Sequence, residues 1–233
     1  MVSAACGLWM AMFFALPVTA QSGTPILVVE LFTSQGCSAC PPADEFFAKL
    51  ARDPTIMPLA LHVDYWDYIG WADSFADPAY TARQKAYARA AGSRMIYTPQ
   101  MIVGGLDRVE GTAPTEIASL IMKHMKVTPQ VTVSVTRQGD RLMIRAAPVP
   151  SLGKAIKVQI VRYLPEEAVE ITRGENAGRT VTYRNIVTSW SVVGDWDGAA
   201  PLELEAPYPA GNPGVVILQA DGPAEILAAA RVN

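Results

Sequence analysis

Residues 26–50 read ILVVELFTSQGCSACPPADEFFAKL, and the pattern changes twice within this stretch. Residues 26–32 form a nearly continuous apolar run rich in β-branched side chains, which is typical of a strand buried on both faces of a parallel sheet. The turn-forming residues 33–36 then end the strand. From Ala43 onward the apolar residues recur at helical spacing, and acidic residues in the first turn suit the positive end of the helix dipole. The stretch therefore predicts a strand, a short loop and a helix.

Cys37 and Cys40 lie where the predicted strand passes into the predicted helix. A helix N-terminus lowers the pKa of a thiol, because its unpaired N–H groups and its dipole favour the thiolate. Pro41 and Pro42 follow directly and lack N–H groups, so we expect the helix to begin near them and the dipole effect to be weaker than usual. A zinc site needs about four ligands, and the remaining cysteine, Cys6, lies in a predicted signal segment. The pattern favours a redox dithiol over a structural disulfide.

The length and composition of the chain bound its organisation. It has 233 residues, half of them hydrophobic, with a net charge of −3. This is enough for one large domain or two small ones with a sizeable core. The mild negative charge carries no signature of nucleic-acid binding.

Residues 1–20 are predicted to be a secretory signal peptide. Residues 4–17 are apolar and uncharged, and Val18-Thr19-Ala20 offers the small residues of a cleavage site. The apolar run is too short for a membrane span, although an uncleaved N-terminal anchor is the alternative. We therefore expect a periplasmic or secreted protein whose mature chain keeps two cysteines, without a stable membrane span, in an oxidising compartment.

A second apolar run, residues 56–64, predicts a strand parallel to the first, with helix 43–52 as the right-handed crossover. Chemistry collects at the C-terminal ends of such strands, which places His62 and Asp64 on the same rim as the cysteines. His62 is a candidate proton shuttle or thiolate partner, or else a hydrogen-bonded strand histidine. Asp64 is a candidate proton acceptor for Cys40, or else a loop cap.

Residues 65–92 are predicted to be an insertion that covers the cysteine rim. An aromatic-rich loop is followed by a helix over residues 78–91. Trp66 and Trp71 either form a substrate-facing wall or fasten the loop to the core. Arg83 is predicted to lie on a solvated helix face.

The next segment predicts a short hairpin and a helix. Thr98-Pro99 precedes a strand at 100–103, Gly104-Gly105 marks the turn, and residues 107–110 return antiparallel. A helix is predicted for residues 114–125.

The pattern changes near Val127, after which short alternating strands predict an antiparallel β-sandwich-like domain over residues 128–233. Polar residues within it, Asn176, Arg179 and Arg184, have no chemical role that the sequence reveals. The predicted strands cover residues 130–136, 141–147, 156–163, 169–172, 180–183 with a continuation to 192, 202–205, 215–219 and 226–232.

Two levels of resemblance follow from these motifs. The order of elements in residues 24–127 resembles the thioredoxin fold, which implies an α/β thioredoxin-like domain with a helical insertion. That resemblance implies that Thr98-Pro99 is cis and that Pro99 faces the cysteines. The chain also resembles a family of exported bacterial proteins of uncharacterised function, in the stretches VELFTSQGCSACPPAD, HVDYWDYIGW, YTPQMIVGG and RGENAGRTVTYRNIV.

These observations predict an exported thiol–disulfide oxidoreductase of unknown substrate. Cys37, the better exposed of the pair, would be the nucleophile and Cys40 the resolving thiol. Its partners would be protein thiols or disulfides and a redox partner, with no cofactor. One alternative is a copper-handling protein that uses both cysteines with His62 or Met101. The other is a binding module in which the disulfide is structural.

Overall fold

The computed structural model describes residues 25–232, so the predicted signal segment 1–20 lies outside the described residues. Within the described part, no helix is long and apolar enough to cross a membrane. The parallel pair at the centre of the main sheet consists of β1 (Leu27–Thr33) and β2 (Ile56–His62). Helix α1 (Pro41–Leu50) connects them, as the sequence predicts, and begins at the first of the two prolines with Cys40 as its N-cap residue.

The predicted hairpin is confirmed. Strand β3 (Gln100–Val103) pairs antiparallel with β1, and β4 (Asp107–Glu110) returns along β3. Helix α3 (Pro114–Met125) follows. Helices α1 and α3 cover one face of these strands with a core that is contributed by all of them, including Leu31, Phe47, Met101, Ile117 and Ile121.

Helix α2 (Pro78–Ala90) covers the opposite face. Its N-cap is Asp77, whose carboxylate accepts a hydrogen bond from the backbone of Ala79, as expected for Asp before Pro. Tyr80 and Tyr87 project from α2 into the apolar core. A short 3₁₀-helix, Asp67–Ile69, lies in the loop before α2.

The described residues after 127 form strands and turns but no helix. Three of the strands form a separate sheet in the order β5–β6–β9. This sheet packs on the outer part of the main sheet, where Leu142 and Ile144 meet Val158 and Val216. The strands are β5 (Val131–Gln138), β6 (Arg141–Pro148), β7 (Ile156–Ile171), β8 (Arg179–Trp196), β9 (Leu202–Pro207), β10 (Gly214–Ala220) and β11 (Ile226–Val232).

The main sheet does not stop at the expected boundary near Val127. Its order is β11–β10–β7–β8–β2–β1–β3–β4, so strands from both halves of the chain lie side by side. The junction is one parallel bridge, between Ala60 of β2 and Ile186 of β8. The halves also share one core, in which Phe32 and Leu61 lie in the same cluster as residues of β7, β8 and β10.

Strands β7 and β8 form a hairpin longer than the sequence predicts. Several shorter strands were expected, but one ladder runs the whole length and continues past Pro165. Strand β10 accompanies β7 only as far as Arg162. Beyond that point the hairpin is a two-stranded ribbon, residues 163–187, which we call the arm. Its turn, residues 172–178, is the arm tip.

Candidate functional site

Cys37 and Cys40 form a disulfide at the N-terminus of α1, with their Cα atoms 5.4 Å apart. The loop before them is held by local hydrogen bonds, in which the Cys37 N–H donates to the Ser34 carbonyl at 3.1 Å. The Cys40 N–H donates to the Cys37 carbonyl at 3.2 Å. The strand, loop and helix of residues 26–50 thus place both sulfurs where the sequence predicts them.

Both cysteines are buried, with 1% and 0% of their surface exposed, so the prediction of an exposed Cys37 is wrong. Part of the cover comes from the arm tip. The buried Asn176 side-chain amide donates to the backbone carbonyls of Gln35 and Cys37, both at 2.9 Å. A thiol or a disulfide from solution reaches the sulfurs only if this cover moves.

The first turn of α1 offers few free donors to a thiolate. Pro41 and Pro42 have no N–H groups. The N–H groups of Ala43 and Asp44 both donate to the Cys40 carbonyl, at 2.9 and 3.1 Å. The usual stabilisation of a thiolate by unpaired helix N–H groups is therefore reduced here.

Asp44 lies one helical turn after Cys40 and is buried. One of its carboxylate oxygens accepts a hydrogen bond from the Thr33 hydroxyl at 2.9 Å. The other, Oδ2, is buried and has no hydrogen-bond partner among the described residues. Burial raises the pKa of Asp44 to about 7, against the opposing effects of nearby His62 and the Thr33 hydrogen bond.

His62 is fully buried and hydrogen-bonded at the end of β2. Its Nδ1 lies 2.7 Å from Asp73 Oδ2, and the same oxygen accepts the backbone N–H of Gln35 at 2.8 Å. Its Nε2 is buried without a partner within residues 25–232. The imidazole packs edge-on against Phe75 and Tyr183. His62 is thus connected through Asp73 to the loop that carries the cysteines.

Asp64 is held by α2. Its carboxylate accepts a hydrogen bond from the Thr81 hydroxyl at 2.5 Å. This contact matches the cap-like alternative for Asp64. The carboxyl group on the helix of the cysteines is that of Asp44.

The Thr98-Pro99 bond is cis, as the resemblance implies. Pro99 lies close to the first turn of α1, because a Cβ placed on Gly111 would come within 2.8 Å of the Pro99 Cβ and 3.1 Å of the Ala43 Cβ. The Thr98 hydroxyl accepts a hydrogen bond from the Trp66 indole at 2.7 Å. Trp66 in turn packs against Gly36, the residue before Cys37.

The loop tryptophans fasten the insertion to the cysteine loop. Besides the contact of Trp66 with Thr98, the Trp71 indole donates to the Gln35 side chain at 2.8 Å. These hydrogen bonds support the fastening role over the substrate-facing wall.

The prediction that Arg83 lies on a solvated helix face is wrong. Its side chain is only 14% exposed and binds the fully buried Glu30 through two nitrogens, at 2.6 and 3.0 Å. Sequence periodicity placed Arg83 on α2 but did not reveal a carboxylate beneath it.

Sequence reasoning missed three residues of the site: Asp44, Asp73 and Asn176. The spacing of Asp44 from Cys40 was a usable signal, because residues four apart share a helix face. Asp73 gave no signal beyond its place in the insertion. Asn176 belongs to the stretch RGENAGRTVTYRNIV, but no local pattern predicts that it would contact Cys37, 139 residues away.

The part of the chain that the structure describes contains no group of three or more His, Cys, Asp or Glu side chains arranged to hold a metal ion. Cys37 and Cys40 are joined to each other, and His62 is bound by Asp73. The copper alternative finds no support in this arrangement.

The fold and site define a mixed α/β protein with a large sheet, three α-helices among the described residues, and a buried disulfide at a helix N-terminus. The chain belongs to the family described as "Protein of unknown function (DUF1223)", which matches residues 28–219. Comparison with curated proteins gives no match.

Two solved structures resemble the chain. One is an X-ray structure of an Agrobacterium tumefaciens protein from the Northeast Structural Genomics Consortium, with 33% identity and a TM-score of 0.75 over 88% of this chain and 93% of that one. The other is HBP35 of Porphyromonas gingivalis, with 15% identity and a TM-score of 0.65 over 90% of this chain and 75% of that one. The second likeness concerns the fold alone.

Proposed function

We propose that this protein is an exported thiol–disulfide oxidoreductase with a thioredoxin-like first half, whose Cys37–Cys40 pair is covered in the oxidised state. The observation that carries the proposal is the disulfide at the N-terminus of α1, with the buried Asp44 carboxyl one turn away. A buried carboxyl group with a pKa of about 7 suits proton exchange near neutral pH. The cis Thr98-Pro99 bond and its position beside α1 also support it.

The chemistry needs only the two thiols. In the reduced protein, the Cys37 thiolate attacks one sulfur of a substrate disulfide, forms a mixed disulfide and releases the other substrate sulfur as a thiolate. The Cys40 thiolate then attacks Cys37 Sγ, which forms the intramolecular disulfide and releases the second substrate thiolate. Asp44 accepts the proton that Cys40 loses. Run in reverse, the same steps oxidise substrate thiols.

Burial of the sulfurs makes movement of the arm tip part of this proposal. The two Asn176 hydrogen bonds hold the tip on the cysteine loop. Each such bond contributes about 1 kcal/mol, so local opening of the tip without global unfolding is accessible. The oxidoreductase would then react in an open state of the arm tip.

The same burial favours a second candidate, a binding module with a structural disulfide. A buried disulfide resists thiols from solution, and structural disulfides have low reduction potentials. The very short loop between Cys37 and Cys40 weighs against this candidate, because closing a short loop restricts the unfolded chain little.

Reduction of insulin by dithiothreitol tests the proposal. We expect the parent protein to accelerate the reaction and Cys37→Ser to abolish the acceleration. Ser38→Ala is the matched control, since it changes the same loop but keeps both cysteines. Equal rates for the parent and Cys37→Ser would reject the oxidoreductase. A reduction potential below about −300 mV against glutathione would favour the structural disulfide.

A further inference from the structure

A cleft of about 820 Å³ lies between the exposed side of α1 and the arm. Its volume is within the range of roughly 300–1,000 Å³ that is typical of ligand sites. It begins beside the disulfide, because Pro41, the residue after Cys40, is part of its wall. The fold therefore provides a groove that leads along α1 away from the cysteines.

One wall of the groove is an unpaired strand edge. Residues 179–185 of β8 pair with β7 on one side. On the other side, within the described residues, β8 pairs with β2 at a single position, Ile186. Four consecutive residues, 179–182, line the groove together with Arg184, as expected where a cleft follows the edge of a strand. Such an edge presents backbone N–H and C=O groups that can pair with an added strand.

The groove is positively charged although the chain as a whole is negative. Four cationic side chains line it against two exposed carboxylates, Glu45 and Glu166. Glu166 is already paired with Arg184. Within residues 25–232, neither Arg52 nor Arg179 forms an ion pair. The cationic residues are Lys49, Arg52, Arg179 and Arg184.

The inner wall of the groove carries an unsatisfied polar group. Asp44 lines it, and its buried Oδ2 has no hydrogen-bond partner among the described residues. Buried polar atoms without partners are rare in proteins and mark places where a further group binds. This observation is independent of the charges and of the strand edge.

We propose that the groove binds an extended acidic polypeptide segment, which adds as a strand to the free edge of β8. Arg52 and Arg179 bind its carboxylates, and the β8 backbone pairs with its main chain. That the bound segment is the disulfide substrate rests on the oxidoreductase proposed above. Binding itself requires no redox step.

Fluorescence anisotropy with the oxidised full chain tests this. The probe is a labelled ten-residue peptide of alternating Glu and Thr, and the comparison peptide replaces Glu with Lys. We expect the Glu peptide to bind at least about tenfold more tightly than the Lys peptide, with an affinity that falls as salt rises. N-methylation of alternate backbone amides is expected to weaken binding, because it removes donors from one edge of the added strand.

The variant test uses Arg52→Glu combined with Arg179→Glu. We expect it to weaken binding of the Glu peptide at least about tenfold, since two charge-assisted contacts are lost. Arg94→Glu makes the same charge change at an exposed position outside the groove wall and should leave binding unchanged. Near-UV circular dichroism checks that the double variant is folded.

Three outcomes would overturn the proposal: equal binding of the two peptides, binding unaffected by the double variant, or full competition by a small dicarboxylate at the same concentration as the peptide. The last would indicate a small-anion site. Cys37→Ser should bind the peptide like the parent. Retained binding with no insulin reduction therefore rejects the oxidoreductase alone, and the reverse result rejects the groove alone.

Discussion

Two buried polar clusters lie on opposite faces of the main sheet, and they differ in how completely their atoms are paired. The Glu30 cluster, formed by Glu30, Arg83, Tyr87 and Gln219, lies beneath α2. The Asp44 cluster, formed by Thr33, Asp44, His62 and Asp73, lies beneath α1. Glu30 and Thr33 are three residues apart on β1, so the alternation of strand side chains sends them to opposite faces.

The Glu30 cluster is closed. Both Glu30 oxygens accept hydrogen bonds from Arg83, and Tyr87 donates to one of them at 2.6 Å. Gln219 of β10 bonds both Arg83 and Tyr87. The Arg83 guanidinium also lies 3.8 Å from the centre of the Trp190 ring. This cluster joins strands from both halves of the chain, and its pairing suits a stabilising role.

The Asp44 cluster is open. Asp44 Oδ2 and His62 Nε2 are both buried without partners within the described part of the chain. Burial without full pairing is costly, so it marks a candidate for function. The contrast teaches that burial of charge does not by itself indicate a site, whereas incomplete pairing beside the disulfide does.

Breaking the Glu30 cluster should have the largest effect. We expect Glu30→Ala to lower the free energy of unfolding by about 3–5 kcal/mol, because Arg83 is left buried and unpaired. Urea denaturation measures it. Lys123→Ala is the control, since it removes an exposed ion pair with Asp107 that contributes at most about 1 kcal/mol. A similar small loss for Glu30→Ala would contradict the assignment of this cluster to stability.

The open cluster should show itself in the pH dependence of stability. The pKa of Asp44 is raised from 3.8 to about 7 by burial, so the folded protein holds this proton more tightly than the unfolded chain. Its contribution is complete below the unfolded pKa and is lost as pH rises through about 7. We expect the parent to lose up to roughly 4 kcal/mol relative to Asp44→Asn as pH is raised.

Urea denaturation of both proteins between about pH 4 and pH 8 measures this difference in slope. Asp53→Asn is the control. The pKa of the exposed Asp53 is lowered by hydrogen bonds from Thr55, so its loss acts in the opposite direction. Parallel stability curves for the parent and Asp44→Asn would show that Asp44 does not hold the proton.

The smallest expected effect concerns the cover over the disulfide. Asn176→Ala removes two hydrogen bonds to the cysteine loop, which together contribute about 2 kcal/mol. We expect dithiothreitol to reduce the disulfide about tenfold faster or more, because the arm tip opens more often. Thiol labelling with time measures the rate. Asn212→Ala, which removes one long 3.5 Å contact with Thr188, is the control and should react like the parent.

Much of the fold follows from local signals in the sequence. The apolar run of β1, the prolines at the start of α1, the Asp77 cap of α2 and the Gly104-Gly105 turn each depend on neighbouring residues. The cysteine pair was legible for the same reason. Arg83 shows the limit of this reasoning, because a helical position predicts a face but not the Glu30 carboxylate 53 residues earlier in the chain.

The sequence by itself determined the strand, loop and helix that carry Cys37 and Cys40, because strand runs, turns and caps are set by residues close together in the chain. Only the tertiary structure decided that the sulfurs are buried, that Asn176 covers them, and that one sheet spans both halves. Those features depend on contacts between segments more than 100 residues apart. Such contacts leave no periodic pattern, since each needs a single side chain at a single place.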